Sequence, residues 1–265
     1  MRVHFISGLP RSGSTLLAAI LRQNPAVTAG MTSPVSDVFA SALHAMSMSE
    51  TALFISDEQR ARILRSIVEQ YYCDPAQRSI VFDTSRGWTA HVGCISLLFP
   101  NSRIVCCVRN PAWIVDSVER LVQRNRLLTS KMFGPEPGNV YARAEVLMKG
   151  GFLGSSLHAF QQAWYGEDAS RLIVVQYDSL AARPAEVMRK LYQFLDMRPF
   201  DHDFNAVEYD EPDFDSRLNM PGLHRVGRRV EKQERRTILP PDLFQQFDGC
   251  FWTASGQNPR KVALL

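Results

Sequence analysis

The chain has 265 residues, with 30 Lys and Arg against 27 Asp and Glu for a net charge of +3, and it is 45% hydrophobic and 22% charged. That is ordinary globular composition, sufficient for one large α/β domain, and the charge is too mild to mark a nucleic-acid binder by itself although it suits an enzyme with a polyanionic substrate. No run of eighteen or more apolar residues appears and the first residues pass directly into a strand, so neither a membrane span nor a signal peptide is expected, and the chain is read as cytoplasmic.

Val3 to Ile6 is a short apolar run that reads as a buried strand, and Leu16, Leu17, Ile20 and Leu21 recur behind it at helical spacing. The stretch between them, Gly8-Leu9-Pro10-Arg11-Ser12-Gly13-Ser14-Thr15, is a phosphate loop. Its glycines let backbone N–H groups converge on an anion, and the helix that starts near Gly13 adds its positive end. Against the pattern Gly-x-x-x-x-Gly-Lys-[Ser/Thr], Ser14 stands where the lysine belongs, and the positive charge has moved to Arg11. Arg11 forks onto two oxygens of one anion and stays charged at neutral pH, which points to a phosphate-type ligand held without the usual Lys and Mg²⁺.

Asn24-Pro25 ends the first α unit, Thr28 to Pro34 is rich in turn residues, and Val35 to Met48 resumes a helical pattern. Asp57 is the expected N-cap of a covering helix running to about Tyr72, with Ile63, Leu64, Ile67, Val68 and Tyr71 on one face. Ser79 to Asp83, Arg103 to Val108 and Arg171 to Gln176 are short, nearly all-apolar strands separated by helix-like sequence. Buried parallel strands read this way, so the expected fold class is α/β, a P-loop-type three-layer fold with a central parallel sheet covered by helices on both faces. Ligands of such sheets sit beyond the strand carboxyl ends, which singles out Ser7 to Thr15, Asp83 to Gly87, Arg109 to Ser117 and Tyr177-Asp178. Arg109-Asn110-Pro111 makes a second anion site, with Asn110 as N-cap, Pro111 at the first helical position and Ser117 about two turns on. Lys131 to Gly154, containing Gly134-Pro135-Glu136-Pro137-Gly138, reads as an insert able to act as a lid. From Phe200 the pattern fades into an acidic stretch, Asp201 to Asp215, and a basic run, Arg225 to Arg236; residues 200–265 are expected to wrap the core of a single domain spanning 1–265. The five cysteines, Cys73, Cys94, Cys106, Cys107 and Cys250, show no Cys-x-x-Cys spacing and are expected as buried free thiols, with no disulfide framework or metal site.

Gly-Leu-Pro-Arg-Ser-Gly-Ser-Thr-Leu-Leu resembles the 5′-phosphosulfate loop of sulfotransferases that use 3′-phosphoadenosine 5′-phosphosulfate (PAPS), in the form closest to tyrosylprotein sulfotransferases and their bacterial relatives. Arg109 followed eight residues later by Ser117 is similar to the family's 3′-phosphate motif. Val175-Gln176-Tyr177-Asp178-Ser179-Leu180 with Arg183-Pro184 resembles the segment whose tyrosine lies near adenine. Gly222-Leu223-His224-Arg225-Val226-Gly227-Arg228-Arg229 resembles the tail loop that closes over the cosubstrate, with Arg228 as the basic residue by position. The resemblance therefore implies PAPS binding by Arg11, Ser12, Gly13, Ser14, Thr15, Arg109, Ser117, Tyr177 and Arg228, and transfer of a sulfuryl group to an acceptor hydroxyl without a metal.

The pattern departs from the family at the base. The stretch Ala29 to Ser33 holds no acid where tyrosylprotein sulfotransferases place a glutamate, and Thr84 stands where many relatives carry lysine, a role that Arg86 partly covers. Asp83 at a strand end and Asp37 at a helix start are the candidate bases, Asp83 the preferred one, and a structural role capping a turn stands beside it. His44, His91 and His224 are further candidates in principle. A tyrosine peptide or a glycan is the expected acceptor, the peptide on the ground that Arg120, Arg124, Arg126 and Lys131 join the basic run in a cationic rim. Two alternatives remain at this point: a P-loop kinase with Asp83 near Mg²⁺, against which Ser14 counts, and an RNA-binding module on the basic tail, which lacks interleaved aromatics.

Overall fold

The structure, a computed structural model, describes residues 1–73, 79–133, 138–248, 258 and 260–265. In chain order the regular elements are β1 (Arg2–Gly8), α1 (Ser14–Leu21), β2 (Val27–Ala29), α2 (Val35–Met48), α3 (Asp57–Tyr71), β3 (Ile80–Thr84), α4 (Val92–Leu98), β4 (Ile104–Val108), α5 (Pro111–Arg124), α6 (Val140–Met148), α7 (Phe152–Tyr165), β5 (Leu172–Gln176), α8 (Tyr177–Ala182), α9 (Pro184–Phe194), α10 (Pro212–Arg217), α11 (Pro241–Asp248) and β6 (Ala263–Leu264). The strands form one parallel sheet in the order β2-β3-β1-β4-β5-β6. Phe5 of β1 pairs with Asp83 on one side and Ile104 on the other, so the chain order reverses about β1 and opens a crevice at its carboxyl end.

Both faces of the sheet are buried, and the side chains alternate between two cores. Phe5, Val81, Ile104, Cys106, Val108, Leu172 and Val174 enter the core shared with α2 to α7 and α11. Ile6, Phe82, Val105, Cys107, Ile173 and Val175 enter the other, against α1, α9 and residues of the tail. This is why the strands read as continuous apolar runs: each alternate residue has a core to enter.

Several local expectations are corrected. The third helix is capped by Ser56, not Asp57: Gln59 N–H donates to Ser56 Oγ at 3.2 Å while Ser56 N–H donates to Gln59 Oε1 at 2.8 Å. This capping box satisfies two backbone donors at once, which leaves Asp57 in the first turn to accept from Arg60 at 2.6 Å. On the same helix Leu64 is buried but Ile63 and Tyr71 remain 45% and 51% exposed, a narrower apolar face than expected. Within the turn-rich stretch β2 adds an edge strand of three residues, too short for any periodicity to show. Two residues near the carboxyl terminus add β6 beside β5. The expected lid contains α6 and the start of α7; Arg143 of α6 pairs with Glu119 of α5 at 2.7 Å. Gly134 to Pro137, and Cys250, lie outside the described residues; Cys73, Cys94, Cys106 and Cys107 are free thiols, but only Cys106 and Cys107 of these four are buried, Cys94 being half-buried and Cys73 exposed just after α3. No described helix is long and apolar enough to cross a membrane.

Candidate active site

The first loop makes its turn through three left-handed residues, Gly8 (φ 104°), Arg11 (φ 55°) and Gly13 (φ 91°). A side chain at Gly8 would collide with the Cys107 backbone, the close approach that lets Leu9 N–H donate to Cys107 O at 2.8 Å. Gly13 caps α1 without a side-chain hydrogen bond, and its neighbours Ser14, Thr15 and Leu16 line a cleft. The first N–H groups of α1 thus face the cleft with no intrahelical acceptor, which is an anion site. Ser12 differs: its hydroxyl donates to Pro10 O at 3.2 Å and is buried behind the loop.

Arg11 is held over this loop by two contacts. Its Nε donates to Ser117 Oγ at 3.3 Å and its Nη1 donates to Leu223 O. Burial, and after it the charge of Arg109, bring the Arg11 pKa down to about 10, which still leaves a full positive charge at neutral pH. Ser117, expected beside Arg109, is thus tied to Arg11 of the first loop, and all three line the cleft.

At the second site Asn110 caps α5 by accepting from Ala112 N–H at 2.9 Å, with Pro111 following, and aims the strand-end Arg109 into the cleft. The Arg109 guanidinium lies 4.1 Å over the Tyr177 ring. Its Nε is buried with no hydrogen-bond partner and, among the described residues, it makes no ion pair. A buried donor without an acceptor is costly, so this atom is arranged for an anion.

The tail completes the wall. Asp116, fully buried on α5, accepts from Ile238 N–H at 2.8 Å, Thr237 Oγ1 at 3.0 Å and Arg120 Nε at 2.9 Å, and lies 2.9 Å from Arg235 Nη2. These contacts strap residues 235–238 to the helix that carries Ser117 and place Arg235 on the cleft wall. Arg228, the residue matched by position, is elsewhere: its side chain is 77% exposed, 3.7 Å from Glu208, and off the cleft wall, because its backbone carbonyl accepts from Val207 N–H. Among the described residues the wall takes Arg225, Arg229 and Arg235 from the basic run and none of Arg120, Arg124, Arg126 or Lys131. The expected rim is thus reduced, and Glu211 and Glu231 face the same space.

Asp83 does not face the cleft. It is fully buried on β3, where Ser33 Oγ (2.5 Å), Tyr72 Oη (2.6 Å) and Trp88 Nε1 (2.6 Å) all donate to its carboxylate. A strand end points residues alternately to the two faces, and it is Thr84 to Gly87 that reach the cleft. Asp37 does line the cleft, where its charge acts on Arg86, whose guanidinium lies 5.2 Å over Phe152. The sequence named His224 as a candidate in principle but not its partner: His224 Nδ1 is 2.5 Å from Asp215 Oδ1, and His224 N–H donates to Asp215 Oδ2 at 2.8 Å. His44 is not on the cleft wall, and His91 packs against Phe39 at 5.6 Å. No group of three or more described His, Cys, Asp or Glu is placed to hold a metal.

The cleft encloses about 1060 Å³ beyond the carboxyl ends of β1, β3 and β4, enough for a nucleotide and a second substrate. A second cavity of about 1120 Å³, lined by Arg2, Arg65 and Arg103, lies at the amino ends of the strands, away from both loops. The first is the candidate chemical site, because among the described residues the starts of α1 and α5 and the orphaned Arg109 converge there.

Comparison with known proteins gives the family and the fold. The chain is 26% identical over 253 residues to a protein-tyrosine sulfotransferase of Drosophila melanogaster, covering 92% of this chain and 46% of the relative, so it spans about half that protein's length. Two solved structures share the fold. The sulfotransferase domain of the Synechococcus PCC 7002 olefin synthase is 18% identical, with a TM-score of 0.54 over 95% of this chain and 94% of that one. Sulfotransferase STF9 of Mycobacterium avium is 15% identical, with a TM-score of 0.50 over 100% of this chain and 78% of that one. The model of the family described as "Sulfotransferase family" matches residues 4–202, most of the chain and both anion loops, and on that match the kinase reading recedes and the chain belongs to the sulfotransferase family.

Proposed function

We propose that the cleft binds PAPS and transfers its sulfuryl group to an acceptor hydroxyl. The observation that carries this is the orphaned, partly buried Arg109 beside a phosphate loop whose cation is Arg11 rather than lysine. Arg11 and the N–H groups of Ser14 and Thr15 meet the 5′-phosphosulfate; Arg109 and Arg235, with Ser117 between them and Arg11, meet the 3′-phosphate; Tyr177 lies by the adenine. Bound PAPS supplies a sulfuryl group on a phosphate leaving group. The chain's own task is to hold that phosphate as negative charge grows on it, which Arg11 and the loop dipoles do without needing a metal.

The acceptor side of the cleft is formed by Met31, Met132, Phe152 and Phe214 with Arg86 and Arg225. Aromatic and thioether walls suit a phenolic ring, which favours a tyrosine peptide, while a glycan is the second reading because Glu211, Glu231 and Asp37 offer acceptors for sugar hydroxyls. Free thiols at Cys106 and Cys107 suit a reducing, cytoplasmic setting. Calorimetry with PAP in EDTA, with ATP and Mg²⁺, and with a short RNA tests the donor; labelled PAPS offered to acidic tyrosine peptides and polysaccharides tests the acceptor. Mg²⁺-dependent ATP hydrolysis without PAP affinity would end this reading.

A further inference from the structure

The proposed transfer requires a base, since even a phenol with pKa near 10 is mostly protonated at neutral pH. Neither acid named from the sequence is well built for it: Asp83 is buried on β3 with three donors on its carboxylate, and Asp37 is an exposed group opposite Arg86. Resting on the proposed function, we propose that His224 is the catalytic base, that Asp215 positions it, and that this base is delivered by the same tail turn that holds Arg11.

Asp215 is fully buried on α10 and spends both oxygens on His224, one on its backbone N–H and one on Nδ1. A carboxylate accepts, so Nδ1 carries the hydrogen and the lone pair is on Nε2, on a ring that lines the cleft. Phe214 packs edge-on against the imidazole at 5.4 Å and fixes its plane on the cleft wall. The groups that act on the ring are Asp215 from α10, Arg11 from the phosphate loop and Arg86 from the turn after β3. Burial first, then the two arginines, outweigh Asp215 and hold the pKa below 6.5, so the ring is neutral and basic at pH 7.

His224 directly follows Leu223, whose carbonyl accepts from Arg11. One turn therefore carries the proton acceptor and holds the phosphate cation, and both line the same cleft. In the step, the acceptor oxygen forms its bond to sulfur as its proton passes to Nε2; the sulfur–oxygen bond to the donor phosphate breaks, and its electron pair stays on the phosphate oxygen beside Arg11. Donor and base are coupled, because a phosphate that engages Arg11 neutralises a charge that depresses His224.

Imidazole NMR of the full chain, selectively labelled at histidine, tests this without an acceptor. Hydrogen on Nδ1, a pKa below 6.5, and an upward shift when PAP is added are expected; hydrogen on Nε2, or no response of His224 to bound PAP, overturns it. His224→Gln should lower the rate of sulfuryl release from labelled PAPS, to acceptor or water, by about 100-fold or more while PAP affinity stays within about twofold. Asp215→Asn should lower it by about tenfold or more and move the acid limb of the pH profile down, because the carboxylate's upward pull is lost. Full transfer by His224→Gln sinks the proposal. A wild type that does not bind PAP sinks the proposed function instead, and the tautomer of the free protein still decides whether the dyad exists.

Discussion

Taking the 3′-phosphate off the ligand should cost this protein most of its affinity through one residue, Arg109. Its guanidinium is stacked 4.1 Å from the Tyr177 ring centroid and has an orphaned Nε and no ion pair among the described residues, so Asp178 and Asp116 offset its charge only from a distance. A unit pair about 4 Å apart at an effective dielectric near 20 is worth about 4 kcal/mol, which partial exposure and salt reduce to about 2 to 3 kcal/mol. PAP should therefore bind about 30- to 200-fold more tightly than AMP. Arg109→Ala should collapse that ratio to a few-fold by weakening PAP alone. Arg235→Ala should cost only about fivefold, because its charge is already shared with Asp116 at 2.9 Å. Arg228→Ala should change neither affinity by more than about twofold, since that side chain is 77% exposed. Titration calorimetry of the three variants with both nucleotides is the assay. Equal affinities of the wild type for PAP and AMP, or a ratio that collapses in Arg228→Ala but not in Arg109→Ala, would refute the reasoning.

Arg11→Ala should reduce turnover about 100- to 1,000-fold, measured as sulfuryl release at saturating PAPS, because its contact strengthens as charge develops on the leaving phosphate. Asp83→Asn should leave PAP affinity unchanged and destabilise the fold by about 2 to 4 kcal/mol in urea unfolding, since the donors of Ser33, Tyr72 and Trp88 lose a charged acceptor; unchanged stability with lost turnover would restore it as a base. His4 is fully buried, accepts from Arg103 N–H at 3.1 Å, and is held down to about 3, first by burial and then by Arg2 and Arg103. Its folded pKa lies below the unfolded value, so the stability it contributes is complete above pH 6.5 and is lost as pH falls towards 3: about 2 to 3 kcal/mol between pH 6.5 and about 4.5, flattened in His4→Gln.

What the sequence determined by itself was everything carried by contiguous chain. The strand, glycine turn and helix from Val3 to Leu21 read correctly because period and φ requirements are local, and so did Asn110-Pro111 at the start of α5. The three internal strands were legible because burial on both faces makes them nearly continuous apolar runs, with polar residues only towards the carboxyl ends of β3 and β5. Tertiary structure alone decided what depends on side-chain phase and on contacts between distant segments. Asp83 and Thr84 are adjacent in sequence, yet one is sealed under α2 and α3 and the other faces the cleft, because strand neighbours point to opposite sides. Within one basic run Arg228 is turned to solvent and Arg235 is drawn onto Asp116, a choice made by a helix more than a hundred residues earlier. The Asp215–His224 pair closes only because α10 and the turn after it fold back on each other, and an irregular segment has no period from which that could be read.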